Sequence, residues 1–107
     1  MENKNIRKLL IKIGVSSNFK GFHYILEATN IIKKQKIHTS MTTIYEMIHK
    51  KYGGDYAGIE RAIRHAIGKA YKQNNVLKKL YSKIPDNSVF LYDLVFNFDI
   101  FLDIIKE

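Results

Sequence analysis

The segment from Gly53 to Lys72 constrains the fold more than any other part of the chain. After two glycines it reads DYAGIERAIRHAIGKAYK, and on a period of 3.6 residues it separates into an apolar stripe and a basic one. The apolar stripe contains Ile59, Ala62, Ile63, Ala66, Ile67, Ala70 and Tyr71, and the other contains Ala57, Arg61, Arg64, His65, Gly68 and Lys72. The pattern predicts a helix with a buried back and a cationic front.

Another helix, the third along the chain, is predicted just before this segment at residues 42–52, and only Gly53 and Gly54 lie between it and Asp55. Asp55 is well placed to cap the exposed N–H groups at the start of the following helix. Two helices joined by a tight glycine turn, with the second one basic on its free face, are typical of a helix-turn-helix motif whose second helix reads DNA. DNA binding is therefore the first hypothesis.

Four further helical segments are predicted around this pair. They cover residues 3–13, residues from about 19–21 to 34, residues 76–81 and residues 89–106, with Gly14 after the first and Ser88 capping the last. The last segment is apolar on more than one face, so we expect it either to lie deep in the core or to offer a face to another subunit. The sequence thus predicts an all-α fold, a compact single domain of about six helices spanning residues 1–107.

Smaller features support these boundaries. Lys33, Lys34 and Lys36 suit the C-terminal end of the second helix, where cations interact favourably with the helix dipole. A polar link from His38 to Ser40 leads into the third helix. In that helix the side chains expected to face inward are Met41, Ile44, Tyr45, Ile48 and Tyr52.

Composition excludes several classes of protein. A hydrophobic fraction of 46% argues against a disordered chain, and the absence of cysteine removes disulfides, thiol catalysis and cysteine-based zinc sites. Charged residues interrupt the apolar stretch near the N-terminus. The apolar C-terminal stretch is interrupted by Asp93, Asn97, Asp99 and Asp103. No signal peptide or membrane span is predicted, and we expect a cytoplasmic protein.

The net charge of +8 is unevenly distributed. Residues 1–75 contain 14 Lys or Arg and 5 Asp or Glu, whereas residues 76–107 contain 4 and 5. A basic surface that coincides with a helix-turn-helix suits a polyanionic partner. The alternative interpretation of Arg61, Arg64, His65 and Lys72 is a solvated helix face with no ligand.

No catalytic or metal-binding pattern is present in the sequence. His23, His38 and His49 have no ligand spacing, there is no GxSxG or GxxxxGK motif, and the carboxylates are dispersed. The aromatic residues of KGFHY and KKYGG could stack on single-stranded bases, but their helical spacing favours the core. We expect no enzyme activity, no metal and no cofactor.

Three blocks of sequence resemble a known family. They are IGV followed by KGFHYILEA within residues 13–28, IERAIRHAIGKA at residues 59–70 and PDNSVFLYDLV at residues 85–95. In this order they resemble the DNA-binding effector domain of the stage-zero sporulation response regulator of spore-forming bacteria, and ERAIRHAI is the most specific part. The resemblance covers nearly the whole chain. It implies an all-helical domain that binds a short box similar to TGTCGAA and activates or represses transcription.

The resemblance also assigns roles by position. It implies base contacts from Glu60 and Arg61 and at the position of Gly58, and base or DNA-backbone contacts from Arg64 and His65. We count Arg64 with the base-contacting residues and His65 with the backbone-contacting ones. On the same helix we also expect DNA-backbone contacts from Tyr56, Lys69 and Lys72. The family has Ser-Arg before the apolar residue matching Ile59, whereas this chain has Ala57 and Gly58. Because a bidentate arginine–guanine pair contributes about 1–3 kcal/mol of discrimination, we expect an altered or relaxed box. A glycine in the first turn also costs roughly 1 kcal/mol relative to alanine.

The family further implies partners. Its members join this domain to an N-terminal receiver, and no receiver is expected within residues 1–107, so the chain is either an excised effector domain or a free-standing relative. The expected partners are double-stranded DNA, a second copy bound on DNA through the C-terminal helix, and RNA polymerase, with no membrane. The alternative is an interaction module that binds DNA weakly and dimerises with, or antagonises, an intact relative through its apolar C-terminal helix.

Overall fold

The computed structural model describes residues 4–35 and 39–106, and in these ranges the chain forms helices and no strand. The helices are α1 (Lys4–Lys12), α2 (Lys20–Lys34), α3 (Met41–Tyr52), α4 (Tyr56–Gln73), α5 (Asn75–Leu80), α6 (Asn87–Phe96) and α7 (Phe98–Lys106). The predicted all-α class is confirmed. The predicted start of the first helix at Asn3, the cation Lys36 and the link residue His38 lie outside the described residues.

Helix α2 lies at the centre of the molecule and contacts α1, α3, α4 and α6. At Gly21 its backbone lies directly against α4. A Cβ atom on Gly21 would lie 2.3 Å from the Ala62 carbonyl oxygen and 2.8 Å from the Ala66 Cβ. Only glycine allows this spacing, so residue 21 helps to set the position of the helix that carries the cationic face.

The predicted helix-turn-helix is formed by α3 and α4. Ser40 caps α3 by accepting a hydrogen bond from the Thr43 N–H, and Asp55 caps α4 by accepting one from the Gly58 N–H at 2.7 Å. Between the helices, Gly53 and Gly54 have φ angles of 79° and 76°. Two successive residues with positive φ explain why the turn contains two glycines.

The C-terminal segment was predicted as one helix, and this prediction is wrong. Helix α6 ends at Phe96, and α7 begins at Phe98. Asn97 breaks the helix with φ −127° and ψ 35°, and its side-chain amide donates to the Asp93 carboxylate at 2.8 Å. The change of direction allows α6 to bury Phe90, Leu91 and Leu94 while α7 buries Phe101.

Two smaller predictions were also wrong. The N-cap of α6 is Asp86 rather than Ser88, and its side chain makes no capping hydrogen bond. Tyr52, expected to face inward, is 55% exposed, because its hydroxyl reaches across to the Glu27 carboxylate at 3.1 Å. None of the described helices is both long enough and apolar enough to cross a bilayer.

Candidate nucleic-acid interface

Helix α4 has the two faces that its sequence predicted. Its buried side is formed by Ile59, Ile63, Ala66, Ile67 and Ala70. Its outer side exposes Arg61, Arg64, His65 and Lys72. Because the buried side is anchored against α2, α3 and α6, the outer side is held on a rigid element rather than on a loop.

The centre of the outer face is unobstructed. Arg61 and Lys72 make no hydrogen bond or ion pair with any residue of the ranges that the structure describes. Between them lies Gly68, where an added Cβ would have no other part of the molecule within 4 Å. Both cations are therefore available to an external anion without first losing an internal partner.

The other two predicted base-contacting side chains bind each other. The Arg64 guanidinium lies 3.5 Å from the Glu60 carboxylate, one helical turn away. The two residues line an open groove of about 380 Å³, together with Pro85 and Asp86 of the connection between α5 and α6. An exposed pair of this kind contributes about 0.3–0.5 kcal/mol, so it can open readily when either side chain finds a better partner.

His65 and Lys69 lie on the opposite flank of α4, against Phe19. The His65 and Phe19 rings are 5.7 Å apart, and the Lys69 ammonium lies 5.4 Å from the centre of the Phe19 ring. These contacts orient two of the predicted backbone-contacting side chains toward the start of α2. Phe19 was not predicted as part of the site, because no pattern in the sequence relates it to residues nearly fifty positions later.

Tyr56, also predicted to contact the DNA backbone, helps to hold the two helices of the motif together. Its ring packs edge-on against Tyr45 of α3 at 5.0 Å, and its hydroxyl is 3.4 Å from the Thr42 hydroxyl. The side chain remains 42% exposed. At the same turn, the His49 ring hydrogen-bonds the Gly54 carbonyl, which fixes the glycine pair.

Gly58 lies in the first turn of α4, where its N–H donates to the capping carboxylate of Asp55. A Cβ on this residue would be only 2.6 Å from the same carboxylate oxygen. Glycine therefore favours this close cap, and any larger residue at position 58 requires the Asp55 side chain to move.

Asn87 was missed by the sequence analysis although it supports the site. Its buried side-chain amide donates to the Glu60 carbonyl oxygen of α4 at 3.0 Å and to the Tyr45 hydroxyl of α3 at 2.9 Å. Burial raises the pKa of the Tyr45 hydroxyl above its ordinary value. The sequence around Asn87 indicates only a turn, because its two partners are distant in the chain.

Among the described residues, no three His, Cys, Asp or Glu side chains are grouped so that they could hold a metal ion.

The comparison with known families agrees with this geometry. A family model described as "Sporulation initiation factor Spo0A C terminal" matches residues 6–94, which include the helix-turn-helix and end before α7. This match confirms the resemblance noted in the sequence, and the family is one of DNA-binding transcription factor domains rather than enzymes. The chain belongs to the family of C-terminal effector domains of the sporulation initiation factor Spo0A.

Proposed function

We propose that this protein is a sequence-selective regulator of transcription that binds double-stranded DNA with α4 in the major groove. The observation that carries the proposal is the outer face of α4, on which Arg61 and Lys72 are exposed and unpaired with any described residue. An α-helix fits the major groove of B-DNA, and the second helix of this motif is the one that enters it.

The geometry supports a division of roles along α4. Arg61 lies at the centre of the outer face, where a guanidinium can reach the O6 and N7 acceptors of guanine. Glu60 and Arg64 become base-contacting groups when their mutual ion pair opens. Tyr56, His65, Lys69 and Lys72 contact phosphates, and these contacts fix the position of the helix without carrying sequence information.

The direct test measures binding of fluorescent duplexes that contain either the family box or a scrambled sequence, at moderate salt. The wild-type protein is expected to prefer the box. Arg61→Ala should reduce that preference about 5- to 150-fold, equivalent to about 1–3 kcal/mol for one bidentate contact. Equal binding of the wild type to both duplexes would exclude selective recognition of the family box.

A second function, that of an interaction module, is favoured by one specific observation. Val89, Phe96 and Ile100 of the two C-terminal helices are 46%, 65% and 44% exposed. An apolar surface of this kind is suited to a second copy or an intact relative. If no duplex is bound and a stable dimer or mixed complex persists at high salt in a sizing experiment, this second function replaces the first.

A further inference from the structure

A groove unconnected with the DNA-binding face lies between α1 and α7. Its volume is about 350 Å³, and most of its wall is apolar. The floor is formed by Leu9 of α1 and by Phe98, Leu102 and Ile105 of α7. Helix α7 lies beyond the residues that the family model matches, so this groove is built partly from chain outside the shared region.

The floor of the groove follows helical spacing. Phe98, Leu102 and Ile105 are at positions i, i+4 and i+7 of α7, so they form one continuous stripe alongside Leu9. Leu102 is 38% exposed although it lies in the middle of this stripe. An open apolar stripe between two helices is the kind of surface into which an amphipathic helix places its apolar face.

The rim of the groove is positively charged. Lys8 and Lys12 of α1 and Lys106 of α7 line it, all three are exposed, and their ammonium groups form no ion pair with any residue in the described ranges. Asp99 and Asp103 of α7 do not line the groove. An occupant that complements this rim has carboxylates on both sides of its apolar anchors.

We propose that the α1–α7 groove binds an acidic amphipathic helix of a partner protein. Charge complementarity with the three lysines favours an acidic partner over a basic one. The open side of the groove favours a helix over a small anionic amphiphile, because small-molecule sites enclose most of the ligand surface. The proposal does not depend on DNA binding, since it uses no residue of α4.

The experiment uses a designed acidic peptide of about 18 residues, five helical turns, with leucine at i, i+3, i+4 and i+7 and glutamate on both sides of the stripe. Its binding to the ¹⁵N-labelled protein is followed by NMR chemical shifts. We expect shifts confined to α1 and α7. A matched peptide with lysine in place of every glutamate should bind about tenfold more weakly, because three rim charges then repel it.

Two protein variants test the groove itself. The double variant Lys8→Gln/Lys12→Gln should lower the affinity for the acidic peptide several-fold, and Leu102→Asp should abolish its binding. Lys72→Ala is the matched control because it removes a lysine from the DNA-binding face, and it should leave peptide affinity unchanged. The double glutamine variant alters only exposed side chains, so it tests the proposal even if Leu102→Asp fails to fold.

Several results would overturn the proposal. Shifts that map to α4 would mean that the peptide imitates DNA at the cationic face. Binding of dodecanoate in the groove without binding of the peptide would assign the site to a small amphiphile. A dimer of the wild-type protein that Leu102→Asp dissociates would assign it to a second copy. Duplex DNA binding, measured on the same samples, separates failure of this proposal from failure of the proposed function.

Discussion

Asn87, at the start of α6, donates side-chain hydrogen bonds to both helices of the helix-turn-helix, to the Tyr45 hydroxyl of α3 and to the Glu60 carbonyl oxygen of α4. Asn87→Ala should lower the free energy of unfolding by about 1–3 kcal/mol, because it leaves the buried Tyr45 hydroxyl without its donor. Urea denaturation measures the change. Asn97→Ala is the control: it removes one exposed side-chain hydrogen bond and should change stability by less than about 0.5 kcal/mol. If both variants lower the free energy of unfolding equally, burial does not increase the contribution of the Asn87 hydrogen bonds to stability.

This chain has Gly58 where the family has arginine, so restoring the arginine tests whether position 58 contacts a base. Gly58→Arg should shift the preferred sequence toward an additional guanine when the variant and the wild type are compared on a randomised duplex library. Gly58→Ala is the matched control, because any Cβ at position 58 displaces the Asp55 carboxylate in the same way. If the arginine and alanine variants select the same sequences, residue 58 is not a base-contacting position.

The sequence predicted which residues of α4 are exposed more successfully than it predicted their contacts. Periodicity places Arg61 and Lys72 on the outer face because exposure depends only on position within one helix. The contact of Lys69 with Phe19 depends on how α2 crosses α4, which periodicity does not encode. The amide bridge of Asn87 was missed for the same reason.

At the scale of helices, the crossing of α2 and α4 depends on Gly21. Gly21→Ala should destabilise the protein by about 1–3 kcal/mol, because the new methyl group must push Ala62 of α4 away from α2. The same displacement moves the cationic face, so affinity for the box should fall as well. Gly68→Ala makes the same chemical change on the open side of α4, and it should stabilise the helix by up to about 1 kcal/mol. Thermal unfolding compares the stabilities of the two variants. An unchanged stability for Gly21→Ala would contradict the close contact between α2 and α4 at this residue.

The break between α6 and α7 shows why the C-terminal helix was predicted incorrectly. The segment contains neither glycine nor an internal proline between residues 87 and 106, so the two strongest local signals of a helix end are absent. Phe90, Leu91, Leu94 and Phe101 cannot all face one core from a straight helix. The excess of apolar faces, noted in the sequence, was the available indication that the segment bends at Asn97.

For the molecule as a whole, the two proposed binding surfaces use different lysines. Basic residues outnumber acidic ones 14 to 5 within residues 1–75, whereas residues 76–107 contain 4 and 5. The DNA-binding face belongs entirely to the first region, while the α1–α7 groove takes lysines from both. A lysine from each surface can therefore report on one partner and serve as the control for the other.

Salt dependence of DNA binding tests this separation. Each phosphate that a protein neutralises releases counterions, so the logarithm of affinity falls with the logarithm of salt concentration by about 0.9 per contact. Lys72→Ala should therefore reduce that slope by about 1 and weaken binding to box and scrambled duplexes alike. Lys106→Ala removes an equal charge from the rim of the α1–α7 groove and should leave the slope unchanged. The same variant should bind the acidic peptide more weakly. An equal reduction of the slope in both variants would show that net charge, rather than a contact from Lys72, determines affinity for DNA, and an unchanged slope for Lys72→Ala would show that Lys72 contacts no phosphate.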